Sequence, residues 1–113
     1  MTPVEALASM PKTVKVGAHV YTVEAVKVVD LTDEEVRGAI DTDALSIQIL
    51  DGAISASQII STLLHELLHA VWTTQSLGKR ITEERAVLAF ENGLMSLFKD
   101  NPKLLDWIKK GLK

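Results

Sequence analysis

Ser57-Gln58-Ile59-Ile60-Ser61-Thr62-Leu63-Leu64-His65-Glu66-Leu67-Leu68-His69-Ala70-Val71-Trp72-Thr73-Thr74-Gln75 runs nineteen residues without a proline or a glycine. Ile59, Ile60, Leu63, Leu64, Leu67, Leu68, Val71 and Trp72 recur in pairs at helical spacing, the pattern of an α-helix packed against a core. Leucines flank His65 and His69 on both sides, so the helix is expected to be nearly encircled by protein. Its two imidazoles and the Glu66 carboxylate must then find polar partners.

Those three residues form His65-Glu66-Leu67-Leu68-His69, an H-E-x-x-H pattern. Histidines four apart stand one above the other on one face of a helix, so two ring nitrogens reach a single cation. Glu66 follows the first ligand, and that offset directs its carboxylate toward the open coordination position, where an attacking water needs a base. On a helix the pattern is the signature of a metallopeptidase zinc site. The competing reading is a chance match, with two partly exposed histidines and a solvated glutamate. Placement opposes it: the run is otherwise almost purely apolar, and the chain has three histidines in all.

Catalytic zinc takes three protein donors and keeps a position for water. The chain has no cysteine, and no histidine follows His69. The metzincin extension would need glycine and histidine where Trp72 and Gln75 stand. A carboxylate on a following helix remains, from Glu83, Glu84 or Glu91. Ala86, Val87, Phe90, Leu94 and Leu97 share a helical stripe with Glu83, whereas Glu84 lies about 100° away. Thr82 suits an N-cap, and acidic residues in a first turn also complement the helix dipole. Phase favours Glu83 as third ligand with Glu84 as the alternative, and Glu91 ranks third.

Ahead of this helix the chain reads as strands. Thr13 to Val16 and Val20 to Val29 are rich in valine and threonine, with a turn at Gly17-Ala18-His19, which makes His19 a turn residue. Asp30 to Arg37 carries an acidic Thr-Asp-Glu-Glu cluster suited to a loop or short helical turn. Gly38 to Thr42 and Leu45 to Leu50 form a second strand pair. The metal helix starts near Ser55 or Ser57, a second runs from Thr82 to about Lys99, and a third follows Asn101-Pro102. The pattern predicts an α+β fold: a small antiparallel sheet of three to four strands in the N-terminal half, packed on about three helices. Residues 1–12 are expected to be flexible or loosely packed.

With 113 residues, the chain suffices for one domain. It is 47% hydrophobic and 24% charged with a formal net charge of -3, which gives no electrostatic footprint for nucleic acid. There is no basic start followed by an apolar run, and no apolar stretch long enough to span a bilayer. These features predict no nucleic-acid partner, no membrane partner and a cytoplasmic location. The lack of cysteine is compatible with that compartment. Tyr21, Arg80 and Arg85 are candidates for stabilising an oxyanion, and Asp41, Asp43 or Glu84 for bonding the second nitrogen of a ligand histidine. Trp72 and Trp107 read as core anchors.

Leu45-Ser46-Ile47-Gln48-Ile49, then Thr62 to Ala70 with the H-E-x-x-H core, the Glu83-Glu84 helix and the closing Asp100-Asn101-Pro102 together resemble compact gluzincin-type metallopeptidases. Such proteins are carried largely by phages and mobile elements, and are related in plan to ImmA/IrrE-like metallopeptidases. The resemblance covers most of the chain after residue 20. It implies a minimal zincin-like domain over residues 1–113 with Zn2+ held by His65, His69 and a carboxylate of the next helix, Glu66 as general base, and peptide or protein substrates. It also implies that the strand before the metal helix borders the cleft and can pair with an extended peptide. The alternative is a non-catalytic protein-binding domain with a structural or vestigial zinc site.

Overall fold

The computed structural model describes residues 1–33 and 35–113, in the order α1 (Pro3–Ser9), β1 (Thr13–Val16), β2 (His19–Val26), β3 (Gly38–Asp41), β4 (Ser46–Leu50), α2 (Ala56–Thr74), α3 (Glu83–Asp100) and α4 (Pro102–Gly111). Glu34, in the acidic cluster, lies outside the described residues. The architecture is α+β, a four-stranded sheet from the N-terminal half packed against four helices.

The sheet is mixed, with order β1-β2-β4-β3. β1 and β2 form the expected hairpin around Gly17, whose φ of 60° suits a residue without Cβ. Segment 27–37 then carries the chain to the outer edge as β3, and β4 returns between β3 and β2, antiparallel to the first and parallel to the second. A purely antiparallel sheet was expected. The departure lies at the parallel β2–β4 pair, and β4 is covered on both faces, as strands in parallel pairings usually are: Ile47 and Ile49 enter the core at 0% and 1% exposure, and Gln48 on the other face is also buried. The Gln48 side-chain Oε1 accepts from Asp30 N (2.9 Å) and Leu31 N (3.3 Å), and its Nε2 donates to Asp30 Oδ1 (2.6 Å). Those bonds satisfy a buried amide and tie segment 30–31 over the sheet.

The first twelve residues are not loose. Thr2 accepts from Glu5 N while the Glu5 side chain accepts from Thr2 N, a capping box that starts α1. Ala6 is fully buried, and Trp107 Nε1 of α4 donates to its carbonyl (3.0 Å). That bond, together with Ala6 and Met10 in the core, ties the short helix to α4.

α2 begins at the Ser55 N-cap, which accepts from Gln58 N, and buries Ile59, Ile60, Leu63, Leu67, Ala70 and Val71 against the sheet and α3. α3 starts after its expected Thr82 N-cap, but its buried residues are Ala89, Gly93 and Leu97. Val87, expected inside, is 55% exposed. A Cβ on Gly93 would stand 2.4 Å from Val71 Cγ1, so the two helices meet through small residues, which a stripe weighted toward large apolar side chains overlooks.

The two sheet edges differ. At the β1 edge, Asn101 Oδ1 accepts from Lys15 N (2.9 Å) and its Nδ2 donates to Lys15 O (2.7 Å). This side-chain amide stands where a further strand would bond. At the β3 edge, Leu50 N bonds Arg37 O, and alternation along an antiparallel pair makes Ala39 and Gln48 the next bonded partners. The backbone groups of Gly38 and Ile40 therefore point outward. Among the described residues, no helix is long and apolar enough to cross a membrane.

Candidate metal centre

His65 and His69 stand one turn apart near the middle of α2, with Nε2 atoms 3.2 Å apart and rings at 74° to each other. A zinc ion about 2.05 Å from both nitrogens would see them at about 103°, close to a tetrahedral angle. The same separation serves a single N–H···N bond between neutral rings when no metal is present. The helix thus brings two imidazole lone pairs to one point, in the spacing that the i, i+4 offset predicts.

Glu66 projects beside them. Its carboxylate and the two imidazoles place ligating atoms within 4.8 Å of one another, and the three residues form a group that could hold a metal ion. Glu66 is only 6% exposed, and among the described residues no hydrogen bond engages it. Burial pushes its carboxyl above the ordinary glutamate value, and the neighbouring His65 and His69 draw it partly back. Yet no side-chain oxygen sealed from solvent lacks a partner among the described residues, so its oxygens keep access to the cleft. A carboxylate that is desolvated, unpartnered and still reachable suits proton transfer.

The cleft, roughly 390 Å³, lies between α2 and β3; Thr32, Val36, Gly38 and Ile40 form one wall and His65, Glu66, His69 and Trp72 the other. α2 is therefore not encircled. His65 and His69 are exposed and Leu68 is 40% exposed. The apolar periodicity that predicts a buried helix is continued by Leu68 and Trp72 onto the open face, where Trp72 leans on Phe90 with ring centroids 6.4 Å apart.

The structure does not bring Glu83, Glu84 or Glu91 to the histidines. All three are exposed, and none joins the ligating group. Chain placement bears on this: Arg85 in the first turn of α3 donates from Nη2 to Gln75 O at the end of α2, a carbonyl six residues, or about 9 Å along the helix, past His69. Val71, which faces Gly93 of α3, is two residues from His69 and so stands about 160° from it around α2. Helical phase within α3 had no access to that axial register.

The remaining candidates fall elsewhere. Tyr21 is 2% exposed in the core, where burial raises its phenol; Arg85 holds Gln75. Asp41 Oδ1 accepts from Asp43 N and Ala44 N in the β3–β4 turn. His19 opens β2 and is outside the ligating group. Gly38 was not singled out from sequence, although a glycine opening a strand is a signal of close approach. Its ideal Cβ would lie 3.4 Å from Glu66 Oε2 and 2.8 Å from Thr62 Cγ2.

Comparison with protein-family models, with characterised proteins and with solved structures finds no match to this chain, so the reading of the site stands on its geometry and chemistry.

Proposed function

We propose that the protein is a zinc-dependent metallopeptidase in which His65 and His69 hold the metal and Glu66 is the general base for hydrolysis of a peptide bond. The observation that carries this reading is the convergence of the two Nε2 atoms at 3.2 Å beside a 6% exposed, unpartnered carboxylate. A structural zinc site closes around four protein ligands, whereas a catalytic one keeps an open position. Here the pair faces a cleft.

Zinc, when bound, polarises a carbonyl and lowers the pKa of water toward about 7. Glu66 takes the proton of the attacking water and returns it to the departing amine. Its burial beside the two histidines keeps the carboxylate poorly solvated and close to the position of the attacking water. The outward backbone groups of Gly38 and Ile40 hold an extended peptide as an added strand, which brings its carbonyls over the α2 wall of the cleft. The third protein donor is assigned to neither Glu83 nor Glu84, since both are exposed and neither joins the group of His65, Glu66 and His69. Peptide or protein substrates, a phage or mobile-element origin and a cytoplasmic location belong to the same proposal.

The test is hydrolysis of self-quenched fluorescent casein by zinc-loaded protein, with Glu66→Gln alongside. Zinc-dependent cleavage that falls at least about 100-fold in Glu66→Gln supports the reading. Absence of zinc uptake, or equal cleavage by the variant, overturns it. Zinc uptake without cleavage by wild type would point instead to the non-catalytic binding domain.

A further inference from the structure

We propose that Gly38 is a positioning residue, whose missing side chain sets the distance between the peptide-binding edge of β3 and the Thr62–Glu66 face of α2. This inference rests on the metallopeptidase reading for its effect on turnover, but not for the spacing itself.

Gly38 pairs with Ile49 across the β3–β4 ladder. Ile49 points into the core, so the Cβ position of Gly38 points the same way, toward α2. There it would meet Thr62 Cγ2 at 2.8 Å, Gln48 O at 3.1 Å and Glu66 Oε2 at 3.4 Å. The first contact is shorter than van der Waals approach allows. Thr62 cannot easily yield: its hydroxyl donates to Gln58 O at 2.7 Å, and a β-branched side chain on a helix has few alternative rotamers. Bonded as it is, the hydroxyl leaves Cγ2 directed at the strand.

The φ of Gly38 is not in the left-handed region, so conformational freedom is not what glycine supplies here. Absence of volume is. The same residue presents its outward N–H and C=O to an incoming peptide, so any displacement of β3 from α2 shifts the bound peptide away from Glu66 by a similar amount. His65 and His69 are both on α2 and keep their mutual geometry when the strand moves. A larger residue at position 38 therefore separates peptide placement from metal binding.

The experiment compares wild type, Gly38→Ala, Thr62→Ser and the double variant, each loaded with zinc. Serine keeps the bond to Gln58 O and removes Cγ2. Gly38→Ala is expected to lower kcat on self-quenched casein about tenfold, the scale for sub-ångström misplacement. Its zinc-induced rise in Tm should stay within about 1 °C of wild type's. Adding Thr62→Ser should recover most of the lost kcat and Tm, leaving the effect of the remaining Gln48 O contact at 3.1 Å. Turnover by Gly38→Ala equal to wild type's, or a double variant no better than Gly38→Ala, overturns the assignment. Should wild type itself fail to cleave, the peptidase reading falls separately. The spacing is then judged by Tm, where Thr62→Ser must still rescue Gly38→Ala non-additively.

Discussion

Removing one histidine should erase nearly all of the stabilisation that zinc confers, because the two imidazoles act as a single chelating unit. Zinc that binds the native chain alone stabilises it by about 2.7 kcal/mol at a hundredfold excess over Kd. For 113 residues the unfolding entropy near the midpoint is about 0.24 kcal/mol per kelvin, so this corresponds to a rise in Tm of about 11 °C. Loss of an outer-shell partner alone weakens a metal site about 10- to 100-fold, and loss of a ligand does at least as much. A hundredfold weaker site at the same zinc concentration retains about 0.4 kcal/mol, or about 2 °C. His65 and His69 are both exposed, so replacing either by alanine should change the Tm of the metal-free chain little. Differential scanning fluorimetry with and without zinc reads both quantities. A His69→Ala variant that keeps a shift of 8 °C or more (about three-quarters of the wild-type effect) would show that the metal sits elsewhere and refute the site.

Glu66→Gln should keep the zinc-induced shift and make the metal-free chain more stable near neutral pH, by about 1 kcal/mol or roughly 4 °C. The sign follows from burial: Glu66 titrates above its unfolded value, so its ionised form opposes folding. Wild-type stability falls as pH rises through that window while the variant's does not, and the gap should close on acidification; a gap that widens at low pH contradicts it. Glu83→Ala and Glu84→Ala should each leave the zinc shift unchanged, as measured by the same fluorimetry. Asn101→Ala removes bonds to Lys15 N, Lys15 O and Leu97 O and should lower stability by about 2 kcal/mol in urea denaturation. Gly93→Ala should destabilise by about 1–3 kcal/mol through the Val71 contact, with zinc affinity intact because His65, Glu66 and His69 all belong to α2.

The features legible in the sequence are those with short-range causes. His65, Glu66 and His69 share a site because helical geometry alone brings i and i+4 together, and Ser55, Thr82 and Pro102 mark helix starts by local bonding and fixed φ. The hairpin at Gly17 is likewise local. What was hidden depends on contacts far apart in the chain. Placement of β4 between β2 and β3 rests on covering Gln48 with Asp30 and Leu31, and docking of α1 rests on Trp107, a hundred and one residues from Ala6. Helical phase could not place Glu83 or Glu84 relative to the histidines for the same reason: periodicity reports angle around α3, whereas reach depends on where α3 lies along α2, with Gly93 against Val71 and Arg85 bonded to Gln75.

The asymmetry of the sheet edges bears on function more directly than any single distance. An unprotected edge invites strand addition, and proteins generally blunt it. Here β1 is closed by one asparagine amide bonded to both backbone groups of Lys15, while β3 retains outward-facing groups at Gly38 and Ile40. Nothing about sheet stability requires that difference, since a residue like Asn101 beside β3 would serve the fold equally well. The open edge is the one bordering the cleft that holds His65, Glu66 and His69, and its first residue is the glycine that lets it approach the carboxylate. A peptide added to this sheet therefore has one place to go among the described residues, and that place lies against the Glu66 carboxylate, as the proposed peptidase reading requires. A protected β3 edge by hydrogen–deuterium exchange of Gly38 and Ile40 in the free protein would remove the basis of this argument. Protection appearing only when an extended peptide is supplied with zinc-loaded Glu66→Gln would support it.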